Sequence, residues 1–254
     1  MNELTNQPQI ALITGAAGGI GRQLCIGLAE AGYRVIATDL APHAFDHPEI
    51  HFHPLDLRDE QAIVRLFTEV RAQHGGIHLL INNGAISKFH TRFEDLSAAQ
   101  FDQVMTVNVR GAMLCARAFV QANRGLPYGR IINIASTRWQ QNEPGWDAYG
   151  ASKGALRVAT SHLAKELGRY GIRVNSAFMG WMWGEPVENA LKFMAREQGT
   201  TVEAVRRQIA ANIPLGDIPD DADCAKVAIF LASDYSCAMS GACVDVNGGE
   251  YLPV

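Results

Sequence analysis

Tyr149 and Lys153 lie four residues apart in Ala148-Tyr149-Gly150-Ala151-Ser152-Lys153, and Ser136 stands thirteen positions before Tyr149. On a helix, side chains at i and i+4 share a face, which would set a phenol beside an ammonium group. A solvated tyrosine has a pKa of about 10, too high for a base at neutral pH. A neighbouring cation favours the phenolate and lowers that value. The spacing therefore predicts a proton-transfer pair in which Lys153 tunes Tyr149. The spacing alone is common on helices, so its weight depends on what the rest of the chain places around it.

Thr14-Gly15-Ala16-Ala17-Gly18-Gly19-Ile20-Gly21 falls between an apolar run at 10–14 and a helical pattern at 21–32. Glycines allow a tight turn and let backbone N–H groups at a helix start meet a pyrophosphate. The strand–turn–helix context is what gives such a run meaning. Its spacing, Gly-x-x-x-Gly-x-Gly, differs from Gly-x-Gly-x-x-Gly, and no Gly-Lys-Ser/Thr ending of a triphosphatase loop follows. Asp39 closes the next strand, eighteen residues past Gly21. A carboxylate there accepts hydrogen bonds from ribose hydroxyls and repels a 2′-phosphate. With no basic residue in Leu40-Ala41-Pro42 or at Gly18, the pattern predicts NAD rather than NADP.

These residues need a scaffold, and the hydrophobic pattern supplies one. Strands are predicted at 10–14, 34–39, 50–55, 77–82, 130–135, 172–177 and 242–246. Helices are predicted at 21–32, 59–74, 149–170 and 222–232. Ser97-Ala-Ala-Gln100 reads as a capping box opening a further helix. Apolar strands alternating with helices indicate an α/β, doubly wound parallel sheet of Rossmann type, with ligands at the carboxyl ends of the strands. No linker divides residues 1–254, so a single domain is expected. The stretch 185–214, within a segment of about 181–214, interrupts the rhythm with two helices. Its position beyond a strand end suits a lid, and Thr200-Thr-Val-Glu203 offers its second helix a capping box.

Composition narrows the class. The 254 residues are 48% hydrophobic with a net charge of −4, which gives no footprint for nucleic acid or an acidic membrane surface. No apolar run is long enough to span a bilayer, and MNELTNQPQIALITG lacks the basic start of a secretory signal. The five scattered cysteines and eight histidines show no metal-ligand spacing, so no metal is expected and a reduced, cytoplasmic setting is.

In order and separation, Thr14-Gly15-x-x-x-Gly19-Ile20-Gly21, Asp56-Leu57, Asn82-Asn83-Gly84-Ala85, Asn108, Ser136 and Tyr149-x-x-x-Lys153 resemble the short-chain dehydrogenase/reductase family, in its compact single-domain branch. The resemblance covers essentially the whole chain. It implies that Asp56 and Leu57 flank the adenine and that Asn83 lies on the adenosine ribose side. It further implies that Lys153 holds the nicotinamide ribose, Tyr149 exchanges the proton, Ser136 bonds the substrate oxygen, and Asn108 supports a water relay to Lys153. A homotetramer is also implied. The chain departs from the family in two places. Gly84-Ala85 stands where Ala-Gly is usual, and Met179-Gly180-Trp181-Met182-Trp183-Gly184 lacks the usual Pro and Thr. The nicotinamide amide contact is then expected from the backbone at Met182.

All four tryptophans, Trp139, Trp146, Trp181 and Trp183, fall in loops flanking the catalytic residues. Flat rings with one donor suit a sugar or cyclic alcohol. Arg138, Lys88, His90 and Arg92 could face an anionic group. The expected function is an NAD-dependent oxidation of a secondary alcohol or sugar hemiacetal, with or without an anionic group (a sugar, sugar acid or sulfonated sugar). The alternatives are an NADH-dependent carbonyl reductase in biosynthesis and a non-catalytic dinucleotide-binding regulator. The intact Ser136, Tyr149 and Lys153 argue against the last.

Overall fold

The computed structural model describes residues 8–87, 89 and 91–252. Its first half runs β1 (Gln9–Thr14), α1 (Gly19–Glu30), β2 (Tyr33–Asp39), β3 (Ile50–Pro54), α2 (Glu60–His74), β4 (Leu79–Asn82), α3 (Ala98–Met105) and α4 (Ala112–Asn123). There follow β5 (Gly129–Ser136), α5 (Asp147–Leu167), β6 (Ile172–Met179), α6 (Glu185–Glu197), α7 (Val202–Ala210), α8 (Asp221–Ala232) and β7 (Cys243–Val246). The strands form one sheet in the order β3-β2-β1-β4-β5-β6-β7, and every pairing is parallel. The order reverses direction between β1 and β4. The loops that follow these strands part there and open a crevice at the carboxyl edge.

Period-2 alternation sends successive side chains to opposite faces of the sheet. Ala11 and Ile13 pack with Leu24, Leu28 and Ala228 of α1 and α8. Ile10 and Leu12 pack on the other face with Phe67 and Phe119 of α2 and α4. Full burial of each such large side chain contributes about 1.5–3 kcal/mol, so the two-sided core fixes the strand ends that carry the site.

Helix starts follow the local chemistry. Asp59 caps α2 by accepting from the Ala62 amide at 3.0 Å, and Ser97 and Gln100 form the reciprocal capping box of α3. The expected box at Thr200–Glu203 does not form. Thr201 caps α7 by accepting from the Ala204 amide, which makes Ala204 rather than Glu203 the third helical residue. Helix α1 starts at Gly19, two residues before the apolar pattern suggests, because the glycine turn itself enters the helix. Between α3 and α4 the chain widens into a π-helical turn at Thr106–Gly111, which the sequence pattern does not signal. Helices α6 and α7 form the insertion after β6, around their own small core of Leu191, Ala195, Val205, Ile213 and Ile218. No described helix is long and apolar enough to cross a membrane.

Candidate active site

The turn after β1 is built from contacts that exclude side chains. Gly15 has φ +68°, and a Cβ there would lie 2.6 Å from the Gly84 Cα. A Cβ on Gly21 would collide with the Gly15 carbonyl oxygen, so the first turn of α1 rests directly on the loop before it. Asn83 locks this arrangement. Its Nδ2 donates to the Thr14 and Gly15 carbonyls at 3.1 and 2.8 Å. Thr14 Oγ1 in return accepts from the Asn83 and Gly84 amides at 3.1 and 2.9 Å. The swapped Gly84-Ala85 order also has a steric basis, since a methyl at position 84 would meet Leu57 Cδ1 at 2.7 Å.

Gly18, at the start of α1, has open space around its α-carbon, and the helix has neither a capping side chain nor an acid in its first turn. Its leading N–H groups are therefore available to an anion. Asp39 closes the far wall. Its Oδ2 accepts from the Ala17 amide at 3.0 Å and its Oδ1 from the Leu40 amide at 2.7 Å. The resulting cleft of about 450 Å³ is lined by Gly19, Ile20, Asp39, Asp56, Leu57 and Met182, among others. Its glycine cradle, uncapped helix and strand-end carboxylate fit a nicotinamide dinucleotide. Arg58, which sequence reasoning passed over, also lines the cleft. It grips Asp56 through both oxygens, with its closest approach at 2.6 Å, and holds that carboxyl below its usual range. Its only sequence signal was its position two residues after Asp56.

Strand β5 delivers Ser136 to the same edge of the sheet, and α5 delivers Tyr149 and Lys153. Ser136 Oγ accepts from the Arg138 amide at 3.3 Å, and its hydroxyl acts on Tyr149 in the direction that favours the phenolate. Lys153 Nζ lies 5.5 Å from the Tyr149 ring centroid and donates to the Ile134 carbonyl at 2.9 Å. Lys153 is only 3% exposed, and burial brings its pKa down to about 8. The expected depression of Tyr149 is not found in the protein by itself. Burial pushes the phenol above its ordinary value, outweighing the Ser136 hydrogen bond and the charge of Arg138. The charge acting on Tyr149 is that of Arg138 rather than Lys153, whose own ammonium is disfavoured by burial.

Asn108 sits in the π-helical turn, buried. Its Oδ1 accepts from the Ile86 amide at 2.8 Å. Its Nδ2 donates to the Ile86 carbonyl at 3.0 Å and to Ser152 Oγ at 3.1 Å. Asn108 thus ties the loop after β4 to α5 and makes no direct bond to Lys153. Ser152 Oγ passes the connection to the Tyr149 carbonyl at 2.7 Å.

The tryptophans divide. The Trp146 ring meets the Tyr149 ring edge-on at 5.7 Å between centroids. The Arg138 guanidinium lies 4.9 Å from the Trp146 ring centroid and 5.6 Å from that of Trp181. Trp139 instead packs on Phe178, with Arg157 4.7 Å from its centroid. Trp183 turns into the insertion, where Arg206 stacks on it at 4.0 Å while also pairing with Asp217. Arg138 is ion-paired to Glu143, and its Nη1 is buried without a hydrogen bond among the described residues. Arg92 is exposed and lies 3.8 Å from Glu94, and Lys88 and His90 fall outside the described residues. Among the described residues no group of three or more His, Cys, Asp or Glu could hold a metal ion, and the five cysteines are free thiols.

Comparison with known proteins is consistent over the full chain. A family model described as enoyl-(acyl carrier protein) reductase matches residues 15–250. The acetoacetyl-CoA reductase of Acinetobacter sp. (strain RA3849) is 29% identical over 258 residues, covering 97% of this chain and 99% of that protein. The crystal structure of sorbitol-6-phosphate 2-dehydrogenase from Erwinia amylovora superposes with a TM-score of 0.86 at 28% identity, covering 95% of this chain and 99% of its own. A levodione reductase structure gives 0.87 at 26% identity, covering 96% and 98%.

Proposed function

The chain belongs to the short-chain dehydrogenase/reductase family, oxidoreductases of CH–OH or carbonyl groups that bind a nicotinamide dinucleotide, and on that premise we propose that its cofactor is NAD and its substrate a polar, cyclic secondary alcohol or sugar hemiacetal. The observation that carries the reaction is the convergence of Ser136, Tyr149 and Lys153 at the carboxyl edge of the sheet, beside the dinucleotide cleft. In oxidation Tyr149 accepts the hydroxyl proton while Ser136 holds the substrate oxygen. Lys153 and the Ile134 carbonyl fix the geometry beneath them. The dinucleotide, when bound, supplies the hydride acceptor, and in its oxidised form a positive charge that favours the phenolate.

Asp39 supports NAD, since its carboxylate opposes a 2′-phosphate. The rings of Trp146 and Trp181 around Arg138 support a flat, hydroxylated ring as substrate. The Arg138–Glu143 pair turns the reading toward a neutral rather than anionic compound. We further propose a cytoplasmic homotetramer with residues 181–214 as a lid.

Two observations favour a second reading. Relatives that match along nearly the whole chain are named reductases, acetoacetyl-CoA reductase and levodione reductase among them, and burial of Tyr149 favours its protonated form, as an NADH-dependent carbonyl reductase requires. A panel of sugars, sugar alcohols and cyclic ketones, followed by NADH absorbance in both directions, separates the two. Oxidation should climb with pH as Tyr149 ionises, and reduction should fall. Tyr149→Phe should remove at least 99% of turnover in either direction while NADH still binds (a general acid–base contributes about 10²–10⁴-fold). Undiminished turnover in that variant would overturn the assignment.

A further inference from the structure

Arg138 is an unusual neighbour for a proton-transferring tyrosine. It follows Ser136 by two residues on a one-turn helix (Thr137–Trp139), and its side chain is only 12% exposed. Trp146 and Trp181 both lie within cation–π distance of its guanidinium, and Trp146 also touches the Tyr149 ring. The fold therefore holds a permanent cation one aromatic ring from the reacting phenol. Two carboxylates oppose it. Glu143, in the loop before α5, is ion-paired to the guanidinium and half exposed. Glu250 reaches in from the segment after β7, beside Gly180; a Cβ on Gly180 would meet Asn247 Cβ at 2.7 Å and Glu250 Oε2 at 3.3 Å. That Oε2 is buried and has no hydrogen-bond partner among the described residues. Burial pushes that carboxyl above its usual value, with the charge of Arg138 and the nearby Gln141 side chain pulling the other way.

We propose that Arg138 is a positioning residue for the reaction, setting the electrostatic potential at the Tyr149 hydroxyl, and that Glu143 and Glu250 determine how much of its charge reaches there. This rests on Tyr149 being the proton-exchanging group. The charged or titratable groups facing that hydroxyl among the described residues are Lys153 on its own helix and Arg138 on the turn after β5, with Glu143 and Glu250 behind Arg138. A fixed cation near a phenol costs no reorganisation when charge develops. It offsets part of the burial that raises Tyr149.

The test reads the phenol directly and needs no substrate. Tyrosinate absorbance is titrated in the full-length protein with NADH bound, and the same titration of Tyr149→Phe is subtracted to isolate Tyr149. Arg138→Met should move the Tyr149 titration upward by about half to one pH unit, less than the full effect of an unshared cation. Glu250→Gln, nearly isosteric, should move it downward, and Glu143→Gln should do the same by a smaller amount. Arg138→Lys should restore most of the wild-type value. Opposite signs for the Arg138 and Glu250 variants support the proposal. A shift below about 0.2 units in Arg138→Met, or the same sign in both, overturns it, as a general loosening of the pocket would give one sign. If Arg138→Met does not fold, the downward shift in the two glutamine variants decides alone. Loss of turnover on every alcohol and ketone, with these opposed shifts intact, would instead count against the proposed substrate class.

Discussion

Lys153→Met offers a test of the buried ammonium that is independent of turnover. Lys153 has a folded-state pKa of about 8 against an ordinary value of 10.5. Between those values the unfolded chain binds a proton at this site that the folded protein does not, so folding stability rises with pH through that window. Below pH 8 both states are protonated and the folded protein carries the full cost of burying the charge. At about 1.4 kcal/mol for each pH unit, that cost is about 3 kcal/mol. It is nearly relieved by pH 10, where Lys153 is neutral in the folded protein. Methionine cannot titrate, so the stability difference between wild type and Lys153→Met should move by about 2–3 kcal/mol in favour of wild type between pH 7 and pH 10. Other lysines and tyrosines titrate in both proteins and cancel in the comparison. Urea unfolding of the dinucleotide-free proteins at equal concentration, at pH 7, 8, 9 and 10, measures it. A difference that stays flat within about 0.5 kcal/mol would show that the ammonium is not desolvated as the structure places it.

The cradle and the cofactor wall give further tests. Gly21→Ala gains about 1 kcal/mol of helix propensity but drives a methyl into the Gly15 carbonyl, an overlap costing about 1–3 kcal/mol or more. It should melt several degrees below wild type and bind NADH poorly, whereas Gly18→Ala, which meets nothing within 4 Å, should melt within about 2 °C of wild type. Equal melting of the two variants would refute the close approach at Gly21. Asp39→Asn should shift the ratio of NADPH to NADH affinity by about tenfold toward NADPH, the order expected for removing one like charge near the 2′-phosphate. Fluorescence titration reads this, and an unchanged ratio removes Asp39 from cofactor selection.

Much of the scaffold was legible because its signals are local. Continuous apolar runs set the strands, and the glycine turn, Asp59 and Ser97 set helix starts within a residue or two. The meeting of Ser136 with Tyr149 follows from strand order, which alternating strand and helix patterns constrain tightly. What escaped depended on long-range packing. Desolvation raises Tyr149 where sequence spacing suggests the reverse. Glu250 comes near Arg138 from more than a hundred residues away along the chain, and only the three-dimensional structure brings the two together. Trp139 and Trp183 stand as near to the catalytic residues in sequence as Trp146 and Trp181. They turn elsewhere, Trp139 onto Phe178 and Trp183 under Arg206.

The insertion after β6 carries a consequence for how this chain can change. Leu191, Ala195, Val205, Ile213 and Ile218 form a cluster separate from the two that clasp the sheet. Arg206 fastens it from within by stacking on Trp183 and pairing with Asp217. It meets the rest of the chain through the Arg22–Glu185 ion pair and the Leu215 amide on the Gly248 carbonyl, while Trp183 and Asp220 meet in a backbone bridge at its base. On the proposed lid, substitutions inside that cluster should reshape the pocket wall at Val187 while the strand ends, with Ser136 on one of them, keep their places. The same anchored chemistry can thus be offered to a different molecule by replacing one cartridge of chain.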